Sequence, residues 1–232
     1  MKLKIFSDGA VIEDMLQAYK NGTVTGFTTN PTLMKKSGIT DYLSFAKEAL
    51  SHIKDLPISF EVFSDELDEM KIQAHKLRDL AENVYVKIPV MNTKKQPTYD
   101  LIRDLSSEGV KVNITAIFTE EQIEKVVSSI QSNTPAVISI FAGRIANAGI
   151  DPEPIMRYAC SLTKDHPEQE ILWASPREPL NVVQAERCGC DIITVTPDIL
   201  KSIDNFGKDL EEYSWETVKM FYDDAESAGY KL

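Results

Sequence analysis

Eight short apolar segments, each followed by a longer polar or amphipathic stretch, set the strongest constraint on what this chain can fold into. The segments are rich in Val, Ile and Phe and mostly lack apolar–polar alternation, which is typical of parallel strands covered on both faces. We therefore predict strands at Leu3–Ser7, Thr25–Thr29, Ile58–Phe63, Val84–Val90, Val112–Phe118, Ala136–Ala142, Ile171–Ser175 and Ile192–Val195.

Helical patterns fill the gaps between the predicted strands. Apolar side chains recur at mostly helical spacing over Asp65–Ala81, Thr119–Gln122 resembles a capping box, and Pro197 is suited to a first helical turn. Eight β-then-α units without a linker predict an α/β protein, a single (β/α)8 TIM barrel forming one domain over residues 1–232. A doubly wound open sheet is the alternative, but it usually has fewer strands and often a glycine-rich first turn, which is absent here.

One further helix is predicted beyond the eighth unit. Ser214–Ser227 carries Trp215, Val218, Phe221 and Tyr222 at helical intervals. We expect an extra C-terminal helix that lies over the barrel or on a neighbouring subunit, with packing rather than substrate contact as its role.

Composition excludes several classes of function. The net charge of −11 argues against sequence-independent nucleic-acid binding, which needs a basic surface. No apolar run approaches the roughly 20 residues of a membrane span, and the N-terminus lacks the apolar core of a signal peptide. Three sparse cysteines predict no disulfide framework, and we interpret Cys188-Gly-Cys190 as packing at a helix end. We expect a cytoplasmic protein without nucleic-acid or membrane partners.

Polar residues inside or just after the apolar segments carry most of the functional information. The active sites of such barrels lie at the C-terminal ends of the strands, and a charge inside a strand needs a partner or a purpose. Almost every predicted strand contributes such a residue: Asp8, Thr28, Thr29, Asn30, Glu61, Lys87, Asn113, Thr115, Ser139, Arg144, Ser175 and Arg177.

Lys87 is the most informative of these residues because it stands in Val84-Tyr-Val-Lys-Ile-Pro-Val90, among apolar neighbours. Lysine is rarely buried, and burial favours the neutral amine, which is the nucleophile of Schiff-base chemistry. The alternative is a lysine that only forms a salt bridge with Glu61 or Asp8. The strand context alone leaves both interpretations open.

Motifs in the same order as these residues resemble the transaldolase family, including its small fructose-6-phosphate aldolase branch. Gly26-Phe-Thr-Thr-Asn-Pro-Thr32 is similar to the family's G-x-T-T-N-P-[ST] signature, and Val86-Lys87-Ile-Pro89 to its lysine segment. Asn113-Ile-Thr115 is similar to the family's fifth strand, Ser139-Ile-Phe-Ala-Gly-Arg-Ile145 to its sixth, and Ala174-Ser-Pro-Arg177 to its seventh. The matches extend from Asp8 to about Thr196, most of the chain.

The resemblance implies a role for each candidate residue in Schiff-base chemistry on a ketose phosphate. Lys87 forms the imine, Asp8 takes the proton of the C4 hydroxyl, and Glu61 and Thr115 hold the water that shuttles protons. It further implies that Thr29, Asn30, Asn113, Ser139 and Phe141 contact the substrate and that Arg144, Ser175 and Arg177 bind phosphate. It implies sugar phosphates as small-molecule partners, no metal, no cofactor and a homo-oligomer.

Two positions favour a transaldolase over an aldolase that releases free dihydroxyacetone. Glu61 and Phe141 match transaldolases, where the aldolase branch has glutamine and tyrosine. Pro176 departs from the family pattern, which usually has an aromatic residue there beside the phosphate pocket. A noncatalytic sugar-phosphate-binding protein is the third hypothesis, but binding alone needs no desolvated lysine.

Overall fold

The structure is a computed structural model that describes residues 3–131 and 133–231, and it confirms the (β/α)8 barrel. Eight strands, all parallel, close into a barrel in chain order, with the eighth paired to the first. The strands are β1 (Lys4–Asp8), β2 (Gly26–Thr28), β3 (Ile58–Glu61), β4 (Val84–Pro89), β5 (Val112–Ile117), β6 (Ala136–Ile140), β7 (Gln169–Trp173) and β8 (Ile192–Val195).

Helices follow every strand. The predicted capping box at Thr119 is confirmed, since its side chain and that of Gln122 bond each other's backbone N–H groups, and Pro197 does begin a helix. None of the helices in the described ranges is long and apolar enough to cross a membrane. The helices are α1 (Ile12–Asn21), α2 (Pro31–Lys36), α3 (Tyr42–His52), α4 (Leu67–Arg78), α5 (Tyr99–Ser107), α6 (Glu120–Ser129), α7 (Ala142–Asn147), α8 (Glu153–Leu162), α9 (Leu180–Cys188), α10 (Pro197–Ser202) and α11 (Leu210–Ala228).

Every strand except β8 differs from its prediction at one or both ends, by one or two residues. Strand β7 begins earlier than predicted because Gln169 and Glu170 pair in register with β6. It also ends earlier, at Trp173, because Ser175 lies in the left-handed region at φ 60° and cannot continue a strand. Strand β6 ends at Ile140 because Phe141 already caps α7.

Two helices also differ from prediction at their ends. Helix α4 is shorter than Asp65–Ala81, because Glu66 is an extended N-cap and the helix ends at Arg78. Helix α11 is longer than Ser214–Ser227. It begins at Leu210 because the Asp209 carboxylate caps it, and it ends where Gly229 adopts φ 67°.

The chain divides into two compact units, the first reaching to Leu200 and the second beginning at Lys201. The first unit contains the barrel. The second contains α11, on which Trp215, Phe221 and Tyr222 are each more than half exposed. The single domain over residues 1–232 and the packing role of the C-terminal helix remain predictions.

Candidate active site

A cavity of about 490 Å³ opens at the C-terminal ends of the strands, the face on which barrel enzymes carry their active sites. Most of the residues singled out from the sequence line it, and Thr29 and Asn113 are the two exceptions among the predicted site residues. The predicted residues at the cavity are Asp8, Asn30, Glu61, Lys87, Thr115, Ser139, Phe141, Arg144, Ser175 and Arg177.

Strand register explains why side chains distant in sequence meet in the barrel. Glu61 on β3 pairs with Lys87 on β4, and Lys87 pairs with Asn113 on β5. On the neighbouring strands, Asp8 pairs with Thr28. Paired residues in parallel strands lie side by side, so the register places Glu61, Lys87 and Asn113 in one row and Asp8 and Thr28 in another.

Lys87 is buried, with 6% of its surface exposed, and its Nζ lies 3.3 Å from Glu61 Oε2. The same nitrogen donates a hydrogen bond of 3.1 Å to the backbone oxygen of Thr29. The salt bridge to Glu61 is the contact that a purely structural lysine would also make. A purely structural lysine would not need to line a cavity, and Lys87 does line this one.

Asp8 carries a carboxyl group whose pKa differs from that of an exposed aspartate. Its burial raises the pKa, and this effect outweighs the opposing influences of the Lys87 charge and of a hydrogen bond from Thr28. Thr28 Oγ1 donates that hydrogen bond to Asp8 Oδ1 over 2.8 Å. A carboxyl group with a raised pKa beside a cavity is suited to exchanging protons.

Thr115 leaves an unsatisfied polar atom at the cavity. Its buried Oγ1 has no hydrogen-bond partner among the described residues, although buried hydroxyls nearly always have one. The β5–β6 pairing shifts between Ile114 and Ile117, and Ala116 takes φ 61°, a strained value for alanine. This irregularity in β5 lies at the cavity, where Thr115 and Ala116 both contribute to the lining.

Thr29 and Asn113 form the wall behind the cavity. Asn113 Nδ2 donates to Ser59 Oγ over 2.9 Å, and Ser139 Oγ donates to Asn113 Oδ1 over 2.7 Å. Thr29 Oγ1 donates to the backbone oxygen of Ser59 over 2.9 Å. These bonds fix the orientation of Ser139, which does line the cavity, while substrate contact by Thr29 and Asn113 themselves stays a prediction.

The Asn30 side chain has one atom that caps a helix and one that has no hydrogen-bond partner among the described residues. It is the N-cap of α2, and its Oδ1 accepts the Leu33 backbone N–H over 3.0 Å. Its Nδ2 forms no hydrogen bond with the residues that the structure describes, and the side chain lines the cavity. The capping bond therefore holds the amide in place while its nitrogen can donate to a ligand.

Two arginines make one wall of the cavity positive. Neither Arg144 nor Arg177 forms a salt bridge with a carboxylate in the described part of the chain. Arg144 lies over the Phe141 ring at 5.8 Å, while Arg177 Nε donates to the Gly143 backbone oxygen over 3.4 Å. The Asn147 amide, oriented to donate to Gly143 O, accepts from Arg177 Nη2 over 3.0 Å. Two cations without counter-charges suit an anionic ligand.

The cavity also includes residues that the sequence reasoning did not select. Thr194 on β8 lines it, and so does Lys36 at the end of α2. Asn147 contacts Arg177, which lines the cavity, and Ser59 contacts Asn113 in the wall behind it. A signal existed for two of them. Thr194 is the polar residue of Ile192-Ile-Thr-Val195, and Ser59 precedes Glu61 by two positions, which puts both on one face of the strand.

The cysteines lie away from this cavity and agree with a packing role. Cys188 and Cys190 are buried on either side of Gly189, which ends α9 in the left-handed conformation. Burial raises the pKa of the Cys188 thiol to about 11, which makes it a poor nucleophile. Within the described ranges, no group of three or more His, Cys, Asp or Glu side chains is arranged to hold a metal ion.

Comparison with known proteins gives consistent matches over nearly the whole chain. A family model described as transaldolase/fructose-6-phosphate aldolase matches residues 5–232. A probable transaldolase of Bdellovibrio bacteriovorus is 32% identical over 230 residues, covering 99% of this chain and all of the relative. A probable transaldolase of Dehalococcoides mccartyi is 34% identical over 199 residues, covering 85% of this chain and 88% of the relative.

Proposed function

The chain belongs to the transaldolase/fructose-6-phosphate aldolase family, and we propose that it transfers a dihydroxyacetone unit between sugar phosphates through a Schiff base on Lys87. The donor is a ketose phosphate and the acceptor an aldose phosphate. The observation that carries the proposal is a buried lysine facing a polar cavity of about 490 Å³. A lysine that lines a cavity can reach the carbonyl carbon of a bound ligand, which amine nucleophiles attack in Schiff-base chemistry.

The proposed reaction begins when Lys87 Nζ adds to the C2 carbonyl of the ketose and water leaves, which gives an iminium ion. Asp8 then takes the proton of the C4 hydroxyl, the C3–C4 bond breaks, and its electron pair moves into the iminium to form an enamine. The first aldose leaves. The enamine attacks the aldehyde of the acceptor, Asp8 returns the proton to the new alkoxide, and water hydrolyses the iminium to free Lys87.

Glu61 and Thr115 suit the proton transfers of imine formation. Loss of water from the carbinolamine requires a proton on the departing oxygen, and the Glu61 carboxylate lies 3.3 Å from the lysine nitrogen. The unpartnered Thr115 Oγ1 can hold one water molecule in the same cavity. In the proposal that water carries protons between Glu61 and the reacting oxygen.

The three-carbon fragment is held by polar groups around Lys87. Asn30 Nδ2 can donate to one of its hydroxyl groups and Ser139 Oγ can accept from another, with Thr29 and Asn113 fixing the wall from behind. Phe141 borders the fragment with an apolar ring. A phenyl ring offers no proton to the enamine carbon, so the enamine should persist until an acceptor aldehyde arrives.

Arg144, Ser175 and Arg177 are proposed to bind the substrate phosphate. Both arginines lack a counter-charge among the described residues, and a guanidinium group donates paired hydrogen bonds to phosphate oxygens. The positive wall lies within a chain of net charge −11, so it is a local feature that concentrates anions at one cavity. The proposed chemistry uses side chains alone, without a cofactor.

A donor and acceptor screen tests this function against release of free dihydroxyacetone, the reaction of the aldolase branch. Ketose phosphates are incubated with and without aldose phosphates, and both the new ketose and free dihydroxyacetone are assayed. We expect the new ketose to form much faster than free dihydroxyacetone. Release that is as fast without acceptor as transfer is with it would favour an aldolase, and no reaction with any pair would favour a binding protein.

A further inference from the structure

We infer that Thr194 is a positioning residue for Asp8, acting through the hydroxyl group of Thr28. The inference rests on the proposed function of Asp8 as the base that takes the C4 hydroxyl proton. Thr194 Oγ1 lies 2.6 Å from Thr28 Oγ1, and Thr28 Oγ1 lies 2.8 Å from Asp8 Oδ1. The three side chains come from β8, β2 and β1, which are adjacent strands in the closed barrel.

The number of available protons fixes the direction of this chain of hydrogen bonds. A hydroxyl group has one proton to donate, and an ionised carboxylate can only accept. When Asp8 is ionised, the Thr28 proton must point to Asp8 Oδ1. The bond between the two threonines then needs the proton of Thr194. Both donors are therefore aligned towards the carboxylate, and each bond polarises the next.

This alignment also selects the carboxylate oxygen that reacts. The one hydrogen bond found to the Asp8 carboxyl group among the described residues goes to Oδ1, which accepts it from Thr28. Oδ2 is then the oxygen left for the C4 hydroxyl of the substrate. Because Thr28 and Thr194 are 2% and 5% exposed, water competes little with their bond and the arrangement is pre-formed before substrate binds.

A hydroxyl group at position 194 is otherwise unfavourable. Valine has nearly the same shape, prefers strands and would avoid placing a polar group in an apolar strand. The charged groups that line the cavity with Asp8 are Lys87 on β4, Glu61 paired to it on β3, Lys36 on α2, Arg144 on α7 and Arg177 after β7. Thr194 adds a neutral dipole to this set. Removing its hydroxyl group should therefore destabilise the ionised form of Asp8 without changing the charge of the site.

The test compares Thr194→Val with Thr194→Ser in the full chain. In the valine variant we expect C3–C4 cleavage to slow by about three- to tenfold, while borohydride trapping of the Lys87 imine is unchanged. The acid limb of the pH profile of the cleavage rate should move to higher pH, because the ionised form of Asp8 is stabilised less by its hydrogen bonds. The serine variant keeps the hydroxyl group and should behave as the wild type does in all three measurements.

A direct titration makes the result independent of turnover. Carbon-13 spectra of the Asp8 carboxyl group, assigned with Asp8→Asn, should show its pKa raised in Thr194→Val by roughly 0.3–1 unit and unchanged in Thr194→Ser. An unchanged titration in the valine variant would overturn the inference even if the enzyme is a transaldolase. A shifted titration in Thr194→Val, together with a wild type that fails to trap substrate, would support the positioning of Asp8 by Thr194 and refute the proposed function.

Discussion

The Asp8 carboxyl group is where stability and chemistry oppose each other most directly. Burial raises its pKa in the folded protein above the value of about 3.9 for an exposed aspartate. At pH values below the pKa of an exposed aspartate, Asp8 is protonated in both the folded and the unfolded protein. Its burial then does not lower the free energy of unfolding. As pH rises through the folded pKa, the folded protein must hold an unfavourable charge, so stability falls.

Asp8→Asn should therefore stabilise the protein while it abolishes C3–C4 cleavage. For a domain of this size, 1 kcal/mol corresponds to roughly 2–4 °C in melting temperature, and we expect a gain of that order at neutral pH. The gain should vanish near pH 3, where wild-type Asp8 is also neutral. Melting curves of both proteins over this pH range check the sign, and a variant less stable than the wild type at neutral pH would contradict it.

Phe141 should decide the fate of the enamine. The aromatic ring lines the cavity without a proton donor, and a tyrosine hydroxyl there could protonate the enamine carbon. We expect Phe141→Tyr to raise release of dihydroxyacetone relative to transfer by about tenfold, which needs only ~1.4 kcal/mol. The assay is free dihydroxyacetone with and without acceptor. An unchanged ratio would show that another group controls protonation.

The individual residues differ in how well the sequence predicted their place. Polar residues in apolar strands, such as Lys87 and Glu61, were found because a buried charge conflicts with its surroundings. Thr194 and Ser59 were missed because a threonine or serine in a strand is common and signals little by itself. The role of Asn113 within the wall depends on hydrogen bonds to two other strands, which sequence spacing does not give.

At the scale of elements, the close packing of α7 against the segment after β7 positions the arginine wall. A methyl group on Gly143 would lie 1.7 Å from the Ser175 backbone oxygen, far inside van der Waals contact. Ser175 already has φ 60°, a conformation that is uncommon outside glycine. Only glycine at position 143 allows the two segments to approach this closely.

Gly143→Ala should therefore displace the segment that carries Ser175 and Arg177. We expect a loss of about 1–3 kcal/mol in stability and at least tenfold weaker use of phosphorylated donors, with a smaller effect on unphosphorylated ketoses. Arg177→Ala is the matched comparison, since it removes the cation without moving the segment. If both variants weaken phosphorylated and unphosphorylated donors equally, the arginine wall does not bind phosphate.

Element existence was predictable from the sequence, and element ends were less so. Buried parallel strands leave continuous apolar runs, which is why the eight strands were found in order. The end of β7 depends on the positive φ of Ser175, and the irregularity inside β5 on that of Ala116, neither of which the side chains signal. These departures from regular geometry are at the cavity, where strain is most often kept for function.

At the scale of the whole molecule, the count of eight β-then-α units predicted the closed barrel, and the family match agrees with it. The homo-oligomer and the cytoplasmic location remain predictions. Light scattering tests the first, since an oligomer has a mass at least twice that of the 26.0 kDa chain. A particle of single-chain mass at assay concentrations would contradict it.

The most direct test of the account is borohydride reduction in the presence of a ketose phosphate, followed by peptide mass spectrometry. We expect one covalent adduct, on Lys87, because this lysine is buried at the cavity and beside Glu61. Lys87→Met should abolish trapping and turnover while the protein stays folded. Lys36→Met removes another lysine from the same cavity and should still be trapped. An adduct on any other lysine, or turnover by Lys87→Met, would contradict the central claim.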